Sequence, residues 1–445
     1  MNKSDHYLKD VKNKIEDFAR FRGFHYDLCN KNALLHDFCI DMDRGLNGLS
    51  SSMPMIPSHL KPQKNIKSGK TVLALDAGGT NLRAALVSFD EHGEHTIKCL
   101  VKTAMPGTKG AMTAPDFFDS IAQLCVPLLQ EYSQLEGIGF CFSYPMEMTE
   151  DGDGIPLAFS KEVDAKDVVG KAMGKGLKEA LKKQKVKFPD KVILLNDTTA
   201  TLLTGSVQMP VPVNGPVIGF ILGTGLNTAY PESRIPKIDF ENKDEPQIVV
   251  CESGSYQNRY TGMLDSEFDS TTQNPGAYCT EKMMSGAYLG PLSLHILKQA
   301  VRDNVIQFRK SGKLLAMPVL TTKDLNDFLY APLSFSGALG SLFEKDEIDA
   351  IRSVTFLESI ITERAGIFAA AMLAGTAAHI GAGKDPLSPL RIAVEGTTFL
   401  LHYFLRESIE AHLHTMLCER DMPFYTLASV EGASLLGAAV AALGD

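Results

Sequence analysis

Asn196-Asp197 closes the apolar run Val-Ile-Leu-Leu and is followed at once by Thr198, Thr199 and a helical pattern. A carboxylate at the end of a buried strand, beside a cleft, is placed to take a proton from a hydroxyl group. Aspartate also caps helices, and read alone the segment describes a cap first. Whether Asp197 does chemistry depends on what the rest of the chain brings to it.

Two glycine turns bring phosphate chemistry. Asp76-Ala-Gly78-Gly79-Thr80-Asn81 joins two apolar stretches, and Gly223-Thr224-Gly225 does the same later in the chain. Such turns let backbone N–H groups approach phosphate oxygens, with Thr80 and Asn81 as added donors. Asp76, at the strand end, is placed to hold Mg²⁺ through water. A plain hairpin turn uses the same residue types. The second turn, in a corresponding place, favours one phosphate chain gripped from two sides. Ser143, Asn227 and Glu252 also stand at the ends of apolar runs, where open α/β folds gather ligand contacts. Glu281 opens a segment, Glu281 to Phe308, that reads as one long helix with an acidic start. Each of these, taken singly, is as readily a cap or turn residue. Gly381-Ala-Gly-Lys384-Asp385 lacks the first glycine and the Ser/Thr of a P-loop and reads as a helix stop.

The elements that must position these residues can be read from hydrophobic period. Residues 5–47 are helical in pattern, and a Ser/Pro/Lys-rich connector carries the chain to Thr71. From there the order is three strands, a helix over the Pro115 segment and a further strand ending at Ser143. A similar order restarts near residue 216 and ends in a Gly/Ala-rich helix. The repetition predicts a duplicated, two-lobed α/β fold with a cleft between the lobes.

Bulk properties narrow the class. A chain of 445 residues holds two or three domains. The formal charge of −9 argues against nucleic acid or an anionic membrane as partner. No window of eighteen uninterrupted apolar residues and no apolar leader are seen, so neither a membrane span nor a signal is expected. The eight cysteines form no CxxC pair and read as small buried hydrophobes of a cytoplasmic protein. Homo-oligomerisation stays open.

With these segments in place the chain resembles the hexokinases, in the sugar kinase, actin and heat-shock chaperone superfamily. LALDAGGTNLRAALV is similar to the family's first phosphate loop, GFCFSYP to its Phe-Ser-Phe-Pro segment and LLNDTTATL to its Asn-Asp-Thr segment. ILGTGLNTAYPE, CESGSY, EKMMSGAYLG and SVEGASLLGAAVAAL follow in the family's order. The resemblance implies two ribonuclease H-like lobes of actin-like ATPase type. The small lobe would span 69–198, closed by the terminal helix 433–445. The large lobe would span 199–432, with 1–68 packed on it.

It also implies ATP-dependent phosphorylation of a hexose, with Mg²⁺ and with ATP as co-substrate. Asp197 would be the general base, aided by Lys161. Ser143, Ser160, Lys161, Asn196, Asn227, Glu252 and Glu281 would bind the sugar. Asp76, Gly78, Gly79, Thr80, Asn81, Gly223 and Thr224 would surround phosphates and metal. Gly396, Thr397, Gly432 and Ser434 would line the adenosine site. Phe159 stands where the family carries Trp, Glu395 and Thr397 flank Gly396 in place of Asp and Ser, and Glu431-Gly-Ala-Ser replaces Asp-Gly-Ser-Gly.

Overall fold

The computed structural model describes residues 3–62, 66–92, 94–132, 134–159, 163–209 and 215–444. Two sheets organise it. In the first, strands lie in the order His95–Ala104, Asn81–Phe89, Thr71–Gly78, Ile138–Phe142, Val192–Leu195. The first three run antiparallel and the last two join in parallel. The second sheet repeats the plan with Gln247–Val250, Leu226–Glu232, Val217–Leu222, Leu390–Glu395 and Tyr425–Ser429. Each half is thus an antiparallel meander extended by two parallel strands, which is the duplication expected from the strand order.

Alternation along the strands shows why the sheets are covered on both faces. On Thr71–Gly78, Leu73, Leu75 and Ala77 pack under the helices Ala114–Glu131 and Met173–Lys183. Val72 and Ala74 face the opposite way, toward the helices Asp197–Gln208 and Ala433–Leu443. Those two helices lie between the sheets, because the same cluster takes in Val217 and Ala393 of the second sheet. Their close seating depends on glycine. A Cβ on Gly139 would fall 1.8 Å from the Ala438 carbonyl, and one on Gly219 would fall 2.7 Å from the Thr198 carbonyl. The helix that begins at Asp197 is therefore seated at backbone distance on the second sheet, and the terminal helix on the first.

Beyond the second sheet lies the helix Ile348–His379. By length and hydropathy it could cross a membrane, yet its most apolar stretch is almost wholly buried inside the protein. Its neighbours include the helices Lys3–Phe21 and Lys31–Leu46, so the N-terminal segment packs on the large lobe. Arg364 of this helix is fully buried and forms a two-pronged ion pair with Asp265, at 2.6 and 2.7 Å. Its guanidinium also lies over Phe24 and Phe368.

Two local expectations are corrected. The connector is not only a linker: Ile56–Pro57 adds an edge strand beside Gln247–Val250. Proline is admissible there because an edge strand leaves one side without ladder partners. The expected helix from Glu281 begins only at Leu289, and Glu281–Met283 is a single 3₁₀ turn. Gly286 and Ala287 instead donate their N–H groups to the carbonyls of Gly223 and Thr224, which pulls that stretch out of helical geometry.

Candidate active site

A cleft of about 450 Å³ opens between the lobes. Asn196 and Asp197 sit on one wall, Ser143 on another, and Asn227, Glu252 and Glu281 face them from the large lobe. The ambiguity over capping resolves here. Asn196 is the N-cap: its Oδ1 accepts from the Thr199 N–H at 2.8 Å. That leaves the Asp197 carboxylate facing the cleft, where it accepts from the Thr198 hydroxyl at 3.3 Å. Burial pushes the Asp197 carboxyl up to about 7, and Glu252 and Glu395 add to the rise by repulsion. A helix N-terminus favours a carboxylate, so burial and like charge outweigh it.

The large-lobe carboxylates are held by short, specific contacts. Asn227 donates to Glu252 Oε1 at 2.8 Å, while its own Oδ1 accepts from the N–H groups of Thr228 and Ser253. Glu252 has left-handed backbone, φ 57°. That conformation costs a non-glycine residue about 1–3 kcal/mol and persists where surroundings impose it. Glu281 Oε2 accepts from the Leu226 N–H at 2.9 Å, directly after the second glycine turn. Burial pushes the Glu281 carboxyl up to about 7 and Glu252 upward. Each glutamate has one oxygen held in this way, Glu252 by Asn227 and Glu281 by the Leu226 N–H, and both line the cleft.

The first glycine turn is a two-residue loop at Gly79 and Thr80, with Gly79 at φ 49°. Asp76 is buried and pairs with Arg83, its cross-strand neighbour, at 2.5 and 2.7 Å. Burial raises the Asp76 carboxyl, and Arg83 and Ser434 oppose that. Asn81 donates to the Thr80 hydroxyl at 3.2 Å. The second turn is anchored by its carbonyls: Gly223 O accepts from Gly286 N–H and from the Thr398 hydroxyl, each at 2.8 Å. Gly396, at φ 127°, must be glycine, since a Cβ would lie 2.3 Å from the Leu222 carbonyl. Thr397 starts the short helix after it, and Gly432, left-handed at φ 63°, starts the terminal helix that carries Ser434. Ser160 and Lys161 lie outside the described residues.

Sequence reasoning missed Arg83, Tyr144, Tyr278 and Thr398. Arg83 could have been found from hairpin register: a two-residue loop pairing Gly78 with Asn81 pairs Asp76 with Arg83. Tyr144 and Tyr278 line the cleft, Tyr278 with left-handed backbone at φ 54°, and no local pattern announces either. Among the described residues no three His, Cys, Asp or Glu side chains converge as a metal cage.

Two lobes of this topology, with carboxylate and amide side chains gathered in the cleft between them, define the actin-like ATPase type of sugar phosphotransferase fold. Hexokinase family models match residues 21–207 and 217–444, the second alone covering just over half the chain. The chain belongs to the hexokinase family. It is 29% identical over 351 residues to Hexokinase-2 of Candida albicans, an alignment covering 75% of this chain and 68% of that one. It is 32% identical over 273 residues to Hexokinase-1 of Schizosaccharomyces pombe, covering 58% of this chain and 55% of the relative. The aligned part therefore spans between about half and two thirds of these relatives. Its fold matches the hexokinase from Schistosoma mansoni complexed with glucose, with a TM-score of 0.75 at 22% identity, over 98% of this chain and 99% of that one.

Proposed function

We propose that this protein transfers the γ-phosphoryl group of ATP to the 6-hydroxyl of glucose or a related hexose, with Asp197 as general base. The observation that carries the reading is the Asp197 carboxyl, released from capping by Asn196 and raised to about 7, in one cleft with Glu252 and Glu281. A sugar offers many hydroxyls and little apolar surface, so it needs fixed carboxylates and amides, each bond charge-assisted. Ser143, Asn196, Asn227, Glu252 and Glu281 supply that set, and family resemblance adds Ser160 and Lys161. With the sugar held, the 6-hydroxyl gives its proton to Asp197 as its oxygen bonds to phosphorus. The bond from phosphorus to the bridging oxygen of ATP breaks, leaving ADP and the hexose 6-phosphate. A positioned base contributes roughly 10²–10⁴-fold.

The backbone N–H groups of the turns at Gly78–Asn81 and Gly223–Thr224 hold the phosphate chain, and the loops at Gly396–Thr397 and Gly432–Ser434 take the adenosine. The residues present fit Mg²⁺. Burial raises the carboxyls of Glu395 and Asp197; Asp76 adds to the first, opposed by Arg83, and Glu252 and Glu395 add to the second, a like-charge repulsion that a divalent cation relieves. Asp76, through water, and Glu395 would hold the ion, which neutralises charge on the phosphates. Closure of the lobes over the sugar would exclude water as a competing acceptor. A cytoplasmic setting completes the reading, consistent with eight unpaired cysteines.

A coupled ADP-release assay over a panel of hexoses, repeated across pH, tests it. Hexose-dependent ADP release is expected, with kcat/KM low in acid and rising to a plateau as pH passes about 7, because only the ionised form of Asp197 accepts a proton. ADP release independent of every hexose would overturn the reading.

A further inference from the structure

We infer that Tyr144 is a positioning residue that ties the sugar-facing wall of the cleft to the first phosphate turn. This rests on the reading of that turn as a phosphate site. Tyr144 follows Ser143 on the cleft wall, and its ring is buried against Phe142 and Phe159, with centroids at 5.0 and 5.1 Å. Its hydroxyl donates to the Gly79 carbonyl at 2.5 Å. Gly79 is the exposed, left-handed apex of the turn.

The peptide group explains the consequence. In a planar trans peptide the C=O and the following N–H point in opposite directions. Holding the Gly79 carbonyl toward the small lobe turns the Thr80 N–H away from Tyr144, to the turn's outer side. It also keeps a carbonyl oxygen, a partial negative charge, from facing phosphate oxygens. The rest of the turn has few such ties: Thr80 O accepts from Met105 N–H at 2.9 Å, and Ala77 O from Ser143 N–H at 3.0 Å. An exposed glycine apex is otherwise free to flip, and ordering it on binding would cost affinity. The same aromatic cluster reaches Phe159, directly before Ser160 and Lys161. Tyr144 thereby joins the Ser143 wall, the turn at Gly79 and the segment that ends at Phe159.

The test is Tyr144→Phe, which keeps the ring packing and removes only the hydroxyl. The KM for Mg-ATP is expected to rise roughly three- to tenfold, the range of one hydrogen bond, while the hexose KM stays within about twofold. Inorganic tripolyphosphate, which engages the phosphate turns without adenosine, is measured in parallel by calorimetry on both proteins. Its Kd is expected to rise by the same factor. An unchanged ATP KM and tripolyphosphate Kd, or equal rises in both substrates' KM, would overturn the tether. If the wild-type protein phosphorylated no hexose, the functional reading would fail, and the tripolyphosphate comparison would still decide the role of Tyr144.

Discussion

At the scale of the residue, the decisive partition is between Asn196 and Asp197. Both are good caps, and only one can occupy the N-cap position. Asn196 takes it, with Thr199 N–H as partner, so the charged neighbour is left one position into the helix and facing the cleft. Glu252 shows a second kind of expense. Its left-handed backbone and buried carboxyl are both unfavourable alone, and Asn227 compensates by bonding one oxygen. The other oxygen is the proposed sugar contact. Glu252→Gln keeps shape and removes charge. It is expected to raise the hexose KM roughly tenfold or more, the worth of a charge-assisted bond, with the ATP KM within about twofold. Steady-state kinetics with each substrate varied checks this, and equal rises in both constants would count against the assignment.

At the scale of the element, the helices Asp197–Gln208 and Ala433–Leu443 matter most, since both lie between the sheets and the first begins at the cleft. Their seating on Gly219 and Gly139 leaves little room for drift in Asp197 or Ser434. A burial cost lies elsewhere, on the helix Ile348–His379. There Glu358 is fully buried with Ser293 as partner, and burial pushes its carboxyl up to about 8. A carboxyl raised on folding binds its proton more tightly in the folded state. Its contribution is therefore full below about 4.5 and lost as pH rises toward about 8. Glu358→Gln is expected to flatten that decline and to give a higher Tm than wild type at the alkaline end. Thermal melts over that range would show it, and parallel pH curves would contradict it. The core strands and the last helix were legible because apolar runs bounded by glycine leave one reading. The edge strand Ile56–Pro57 was not, because two residues carry no period. Nor was the loss of helix after Glu281, because it depends on hydrogen bonds to Gly223 and Thr224, far away in sequence. Of the candidate site, Asp197, Asn227 and Glu252 were legible as strand-end polar residues, and Glu281 as the acidic start of its segment. The Arg83 partner of Asp76 needed the register, and Tyr144 needed the fold.

At the scale of the whole molecule, two copies of one sheet plan each carry a glycine turn, and carboxylates from both halves of the chain line the cleft. Neither lobe alone has the complete set, so the proposed chemistry belongs to their combination. The N-terminal helices add mass only to the large lobe, packing on its central helix with the buried Arg364–Asp265 pair beside them. The small lobe is the lighter body in any closing motion. The two hexokinase family models meet between the helix Asp197–Gln208 and the strand Val217–Leu222. Everything proposed converges on the one carboxylate, Asp197, in the cleft wall. The most direct test is ADP release by Asp197→Ala at saturating glucose and Mg-ATP, with glucose binding confirmed by calorimetry. The expected result is turnover reduced at least about a hundredfold with glucose still bound. Turnover within a few-fold of wild type would contradict the assignment of Asp197 as the base.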